Sequence, residues 1–267
     1  MRKSMALAAT ALVALAFAAV ASSQTGDAQP DGNAHPYVGA LLRARTDGSL
    51  TITCSGTLVS PRVFLTAGHC SDYLFSLGQS TAYVTFDPNF GTDADHTVLS
   101  TPYHGTVIEN PDWHKPYQND TAIVLLDKPV RRIAPQKIAP LGLLDGLKDA
   151  HTINDESFLN VGYGTSEKVV VKSSGPDFPF DGLRKWTISG YHALDSEYIH
   201  LDQSLARGLA GTGYGDSGGP TFLTVNGTQY VISVVSTGDV PCYSTSVNER
   251  VDTENAHAFL DPYLALR

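Results

Sequence analysis

Apolar positions along the chain come in short runs, not at helical spacing. Segments 37–42, 50–59, 63–67, 82–86, 106–108 and 122–126 are rich in Val, Ile, Leu, Thr and Tyr. Turn clusters separate them: Thr46-Asp-Gly-Ser49, Ser60-Pro61, Asp87-Pro-Asn89 and Asn110-Pro-Asp112. Many short strands with frequent turns predict an all-β fold. A proline-punctuated connector covers 128–147, and strand texture resumes at 157–163, 183–191, 220–225 and 229–237. Asp177-Phe-Pro-Phe-Asp-Gly182 reads as a loop, because proline and glycine argue against a central strand. Only the end looks helical: Thr253 or Asn255 can cap a stretch whose Ala256, Phe259, Leu260, Tyr263 and Leu264 share one face. Pro262 weakens that helix in its middle. Two β-rich halves and a terminal helix result.

The first 21 residues stand apart. Arg2 and Lys3 precede an alanine-rich apolar run from Met5 to Val20, and Ala19-Val20-Ala21 supplies a signal-peptidase pattern. The run is shorter than the ~20 residues of a membrane span; an uncleaved anchor is the alternative to an exported chain. Residues 22–35 are polar and read as a flexible lead-in. Domains at 36–140 and 141–267 complete the expected organisation.

Removing Arg2 and Lys3 leaves 16 Lys+Arg against 27 Asp+Glu, so the formal charge of −9 becomes −11. Such a chain has no electrostatic footprint for nucleic acid or anionic lipid. Of the three cysteines, Cys54 and Cys70 lie close together with a strand-turn-strand signal between them, and are expected to pair. Closing that loop is worth roughly 3 kcal/mol in the chain-entropy model. Cys242 is left over and is expected to be buried.

Three segments carry chemistry. Leu65-Thr-Ala-Gly-His69-Cys70 puts a histidine at a strand end, and Asn119-Asp120 puts a carboxylate before the apolar run Thr-Ala-Ile-Val-Leu-Leu126. Gly213-Tyr-Gly-Asp216-Ser217-Gly-Gly-Pro220 sets a serine in a glycine-rich turn. A hydrolytic serine needs a base, and the base needs a buried carboxylate to fix its tautomer. It also needs backbone N–H groups aimed at the developing oxyanion. Singly, each segment also has a bland reading as packing, cap or turn. No second Cys/His cluster with zinc spacing appears, and neither metal nor cofactor is expected.

Together these segments resemble the chymotrypsin/trypsin-like serine protease family, through T-A-G-H-C, N-D-x-A and G-D-S-G-G-P in order. Cys54-Ser-Gly-Thr-Leu, Val161-Gly-Tyr-Gly164, Val235-Ser-Thr-Gly238 and the terminal helix extend the likeness from about Pro36 to the end. The resemblance implies two six-stranded Greek-key β-barrels and a C-terminal helix, and a secreted endopeptidase of the bacterial type. It implies His69 as base, Asp120 as its partner, Ser217 as nucleophile, and the N–H groups of Gly215 and Ser217 as oxyanion hole. Ser236 reaches toward Asp120, and Ser236, Thr237 and Gly238 pair with the substrate backbone. Gly211 occupies the pocket base, with Gly238 and Ser246 on its walls. That set suggests an apolar P1 residue (the residue whose carbonyl is attacked), the alternative being a charge from Asp239 or Glu249 and cleavage after Lys or Arg. Partners implied are a peptide or protein substrate and a proteinaceous inhibitor, with the chain a monomer.

Two departures stand out. The family's liberated N-terminal amine pairs with the aspartate before the nucleophile, here Asp216, yet no Ile-Val-Gly-Gly precedes His35-Pro36-Tyr37; Asp216 is expected to be satisfied locally or by a trimmed N-terminus. The family's bridge from four residues before the serine is impossible, because that residue is Gly213. A silent homologue used for binding and an esterase are the rival functions. Gly215-Asp-Ser217-Gly-Gly fits G-x-S-x-G by letters, but a strand follows it where an α/β-hydrolase has a helix. Weaker signals are 87–95, which fits an exposed turn better than a calcium loop, and sequons at Asn119 and Asn226. Trp113 and Trp186 read as core or pocket edge.

Overall fold

The computed structural model describes residues 28–90, 101–165, 170–172, 175–177 and 181–266. The expected signal peptide, part of the lead-in, most of the 87–95 segment and 178–180 lie outside them. Twelve strands build two closed barrels. The first comprises β1 (Val38–Ala44), β2 (Leu50–Ser60), β3 (Val63–Thr66), β4 (Thr81–Thr85), β5 (Tyr103–Glu109) and β6 (Ala122–Leu126). The second comprises β7 (Phe158–Gly162), β8 (Lys185–Leu194), β9 (Tyr198–Asp202), β10 (Pro220–Val225), β11 (Thr228–Gly238) and β12 (Thr245–Arg250). The strand order is β1-β2-β3-β6-β5-β4 in the first and β7-β8-β9-β12-β11-β10 in the second. Both barrels therefore follow one path, all antiparallel, and together they are the double barrel of the chymotrypsin-like fold.

Continuous apolar runs in the first barrel have a direct cause. Leu41 and Phe64 point into that barrel. Their neighbours Val38, Ala40, Leu42, Val63 and Leu65 face outward and meet Val161, Phe222, Val231 and Val234 of the second barrel. Strands buried on both faces lose the alternation of half-exposed ones. The seam between the barrels is thus a core in its own right, and the terminal helix α3 (Glu254–Leu264) closes it with Ala256, Phe259 and Leu260. Thr253 caps this helix by accepting from the Ala256 N–H, and Pro262 is accommodated inside it.

The second barrel is more polar inside. A chain of hydrogen bonds runs from Thr212 through Ser246, Asn248, Thr221 and Asn160 to Ser189, each 2.7–2.8 Å. Asn226 and Gly227, both at positive φ, make the two-residue turn between β10 and β11. Two helices escape the sequence reading: α1 (Gly68–Ser76) and α2 (Leu143–Asp149). His69 accordingly sits in the first turn of a helix and not at a strand end.

The expected flexible lead-in is docked over its described part. Gln29–Pro30 pairs with Trp186 and Lys185 at the edge of β8. Buried Asp31 accepts from Arg184 at 2.8 Å and from His35. Burial pushes the Asp31 carboxyl up, but His35 and Arg184 outweigh it and hold it down at about 2. Arg184 also donates to the carbonyls of Val38 and Phe86.

Candidate active site

The expected histidine, carboxylate and serine meet at the mouth of the seam. The first barrel supplies His69 from α1 and Asp120 from the residues ahead of β6; the second supplies the Ser217 turn and Ser236 from β11. Asp120 is fully buried. Its Oδ1 accepts from the His69 backbone N–H at 2.7 Å and its Oδ2 meets His69 Nδ1 at 2.8 Å. Ser236 donates to the same Oδ2 at 2.5 Å. The carboxylate therefore fixes both the backbone and the ring of His69, leaving Nε2 to face the cleft. Tyr117 packs edge-on against the imidazole, with centroids 5.8 Å apart.

Ser217 lies in a turn clamped from both sides. Its carbonyl accepts from the Ser55 N–H at 2.8 Å, while Ser55 Oγ donates to the Gly215 carbonyl at 2.9 Å. Gly218 has φ +75°, and a Cβ there would collide with Thr66 Oγ1; only glycine suits this position. The backbone N–H groups of Gly215 and Ser217 donate to no acceptor among the described residues, so two donors beside the serine are unspent.

Asp216 points away from the cleft and is fully buried. It accepts from the N–H groups of Gly213 and Gly164, each at 2.8 Å. A Cβ on Gly162 or Gly164 would run into its carboxylate, so Val161-Gly-Tyr-Gly164 is the socket for this side chain. Lys185 sits opposite Gly162 in the strand register, and opposed residues of an antiparallel pair share a face. Its ammonium is fully buried and paired with Asp181. Burial pulls the Lys185 pKa down, against the opposing pull of the Asp181 and Asp216 charges.

Two clefts of about 400 Å³ each share His69, Tyr214 and Ser217. One is lined by Thr212, Gly213, Ser236–Gly238, Val240 and Ser246. Gly211, expected at its base, is displaced from the lining: the Gln203 side chain fills the space a Cβ there would need. Gln203 Oε1 accepts from Thr212 N–H at 2.9 Å, and Thr212 bonds Ser246. The floor is neutral and polar. Neither expected alternative charge stands on it. Asp239 lies in the lining, but its carboxylate is spent on the N–H groups of Tyr243, Ser244 and Thr245. Glu249 lies behind Asp120, outside the cleft, where burial and the nearby Asp120, Glu197 and Asp195 charges push its pKa up to about 9 against a hydrogen bond from the Asp120 backbone N–H.

Cys54 and Cys70 form the expected disulfide. Together with His69 they lie within ligand distance of one another, but the bond takes both sulfurs from metal coordination. Cys242 is free and buried, with burial and then the charges of Asp239 and Asp216 pushing its thiol up to about 11. Residues missed by sequence reasoning are Ser55, Tyr117, Lys185 and Gln203. Ser55 stood inside a quoted motif, but nothing local marks the other three.

The fold and the geometry at its seam define a chymotrypsin-like serine protease architecture. The trypsin family matches residues 24–256, and the chain belongs to it. Relatives include phenoloxidase-activating factor 3 of Holotrichia diomphalia, 27% identical over 251 residues, covering 85% of this chain and 70% of that protein. CLIP domain-containing serine protease B15 of Anopheles gambiae is 26% identical over 258 residues, covering 88% and 70%. Thrombin-like enzyme agkihpin-1 of Gloydius halys is 28% identical over 226 residues, covering 81% and 85%. These relatives come from insects and a snake, not from bacteria as the expectation had it.

Proposed function

We propose that this protein is a secreted serine endopeptidase acting through an acyl-enzyme. The observation that carries the reading is the buried Asp120 holding His69 by backbone and ring, with Ser217 in the same cleft. His69 Nε2 takes the Ser217 proton as Oγ attacks the peptide carbonyl. The unspent N–H groups of Gly215 and Ser217 receive the oxyanion, each such donor being worth about 3 kcal/mol. His69 then protonates the leaving amine, and a water attacks the acyl-enzyme by the reverse route. On one side, β10 leaves β11 at Val234, so among the described residues Ser236–Gly238 has an open edge for the substrate backbone.

The pocket takes an uncharged P1 side chain, its apolar body against Val235 and Val240 and its tip near the neutral floor of Thr212 and Ser246. Predominant cleavage after Lys or Arg in a peptide library overturns this. Asp216 is satisfied by Gly213, Gly164 and the Lys185 charge, so signal cleavage yields an enzyme that needs no second cut. The enzyme works as a monomer, in two domains at 36–140 and 141–267, on protein substrates, and its cleft is open to proteinaceous inhibitors.

The deciding experiment is fluorophosphonate labelling of the purified secreted protein, with Ser217→Ala as control and mass spectrometry of the labelled chain. Labelling lost in Ser217→Ala is the expected result. A folded protein that does not label is a silent homologue, and label confined to a shorter, second-cut form refutes single-step maturation. Hydrolysis of esters with no cleavage of any peptide in the library identifies an esterase instead.

A further inference from the structure

The second cleft lies across Ser217 from the P1 pocket and shares with it only His69, Tyr214 and Ser217. A chain whose acyl side fills the first cleft must leave through the second. Its walls are the Cys54–Cys70 disulfide, Thr53, Tyr73 and Arg43. No carboxylate lines it, and Arg43 is its one permanent charge. That guanidinium has neither an ion pair nor a side-chain hydrogen bond among the described residues. Its one recorded contact is the face of Tyr73, 6.0 Å from the ring centroid. Tyr73 is itself 44% exposed. Beyond Arg43 a further depression of about 330 Å³ continues past Ala44, Arg45 and Thr46, away from the nucleophile.

In a chain of formal charge −9, an unengaged arginine at the exit of the cleft has an electrostatic use. We propose that Arg43 is a specificity-determining residue, reading an acidic side chain on the leaving-group side of the scissile bond. The proposal rests on the peptidase reading for the direction of the substrate. The guanidinium offers a planar fork of donors to a carboxylate, and Tyr73 restricts its orientation from one face.

The test uses peptides with tyrosine at P1 and Asp, Asn or Lys at each of the first four leaving-side positions. Exposed charge pairs set the scale: Asp is favoured over Asn roughly fivefold in kcat/KM at one or more positions, and Lys is the poorest. In Arg43→Gln the Asp-to-Asn ratio falls to about one, and in Arg43→Glu Lys overtakes Asp. Because the readout is a ratio within one enzyme, a general loss of activity cancels. The same ratio is read from equilibrium binding of these peptides to Ser217→Ala. Absence of labelling and cleavage by the native protein therefore sinks the peptidase reading without touching this measurement. A ratio near one in both assays, or a preference that survives in Arg43→Gln, overturns the role of Arg43.

Discussion

Glu249 is the least expected group near the candidate active site, and replacing it by glutamine tests the electrostatics directly. Its side chain is 3% exposed, and Oε2 has no hydrogen-bond partner among the described residues. The groups around it are Asp120, Glu197 and Asp195, all acidic, and Tyr198 from the neighbouring strand. The Asp120 backbone N–H donates one hydrogen bond to the carboxylate, but burial and the surrounding acidic charges outweigh it, so the folded protein keeps Glu249 protonated up to about pH 9, against an ordinary value of 4.5. Below pH 4.5 both folded and unfolded chains hold the proton and stability does not feel it. Above that, the unfolded chain releases the proton while the folded one retains it. Stability therefore falls by up to about 1.4 kcal/mol per pH unit until pH 9. At pH 7 the accumulated penalty is about 3 kcal/mol, and Glu249→Gln, neutral at every pH, escapes it. The variant should match the native protein at pH 4 and exceed it by about 3 kcal/mol at pH 7. For a chain of this size that is roughly 6–12 °C in Tm. Urea unfolding of both proteins at pH 4, 5.5, 7 and 8.5 measures the difference. No gain at pH 7, or a gain that does not change with pH, refutes the reasoning.

Two further predictions concern the pocket wall and the nucleophile turn. Cys242 Sγ stands 4.0 Å from where a Cβ on Gly213 would lie, so Gly213→Cys should bridge to Cys242 after a small side-chain rotation. Closing that loop adds about 3.5 kcal/mol in the chain-entropy model, read as a reductant-sensitive rise in Tm; two titratable thiols in the oxidised protein contradict it. Lys185→Met removes the cation facing Asp216, and should slow fluorophosphonate labelling of Ser217 at least tenfold in a sample that circular dichroism shows to be folded. A rate within twofold of native means that the Lys185 charge is not needed to hold the nucleophile turn.

The first barrel was legible in the sequence because its strands are buried on both faces, which turns them into plain apolar runs such as Ala-Ile-Val-Leu-Leu in β6. The second barrel was half hidden for the opposite reason. β12 (Thr-Ser-Val-Asn-Glu-Arg) carries little apolar signal, because Ser246 and Asn248 point into a hydrogen-bonded interior where alternation of apolar residues is not required. Helix α1 has no side-chain cap and follows its strand after one residue, so its start carries no local signal. The candidate site was legible to the extent that His69, Asp120 and Ser217 sit in distinctive short segments, which the fold brings to one cleft. The pocket floor was not: Gln203 and Gly211 stand in one connection between β9 and β10, and nothing in its sequence shows that the chain folds back to put the Gln203 side chain beneath that glycine.

Arg184 gives the seam a mechanical meaning. One guanidinium from the threshold of the second barrel grips two carbonyls of the first, Val38 and Phe86, and is itself held by Asp31. The candidate reactive groups are divided between the two bodies it joins, so the alignment of His69 with Ser217 is a property of their relative pose and of neither barrel alone. A rotation of one barrel by an ångström at the seam disengages the chemistry while every strand stays paired. Under mild denaturant, fluorophosphonate labelling of Ser217 should therefore be lost before the optical signature of the sheets changes.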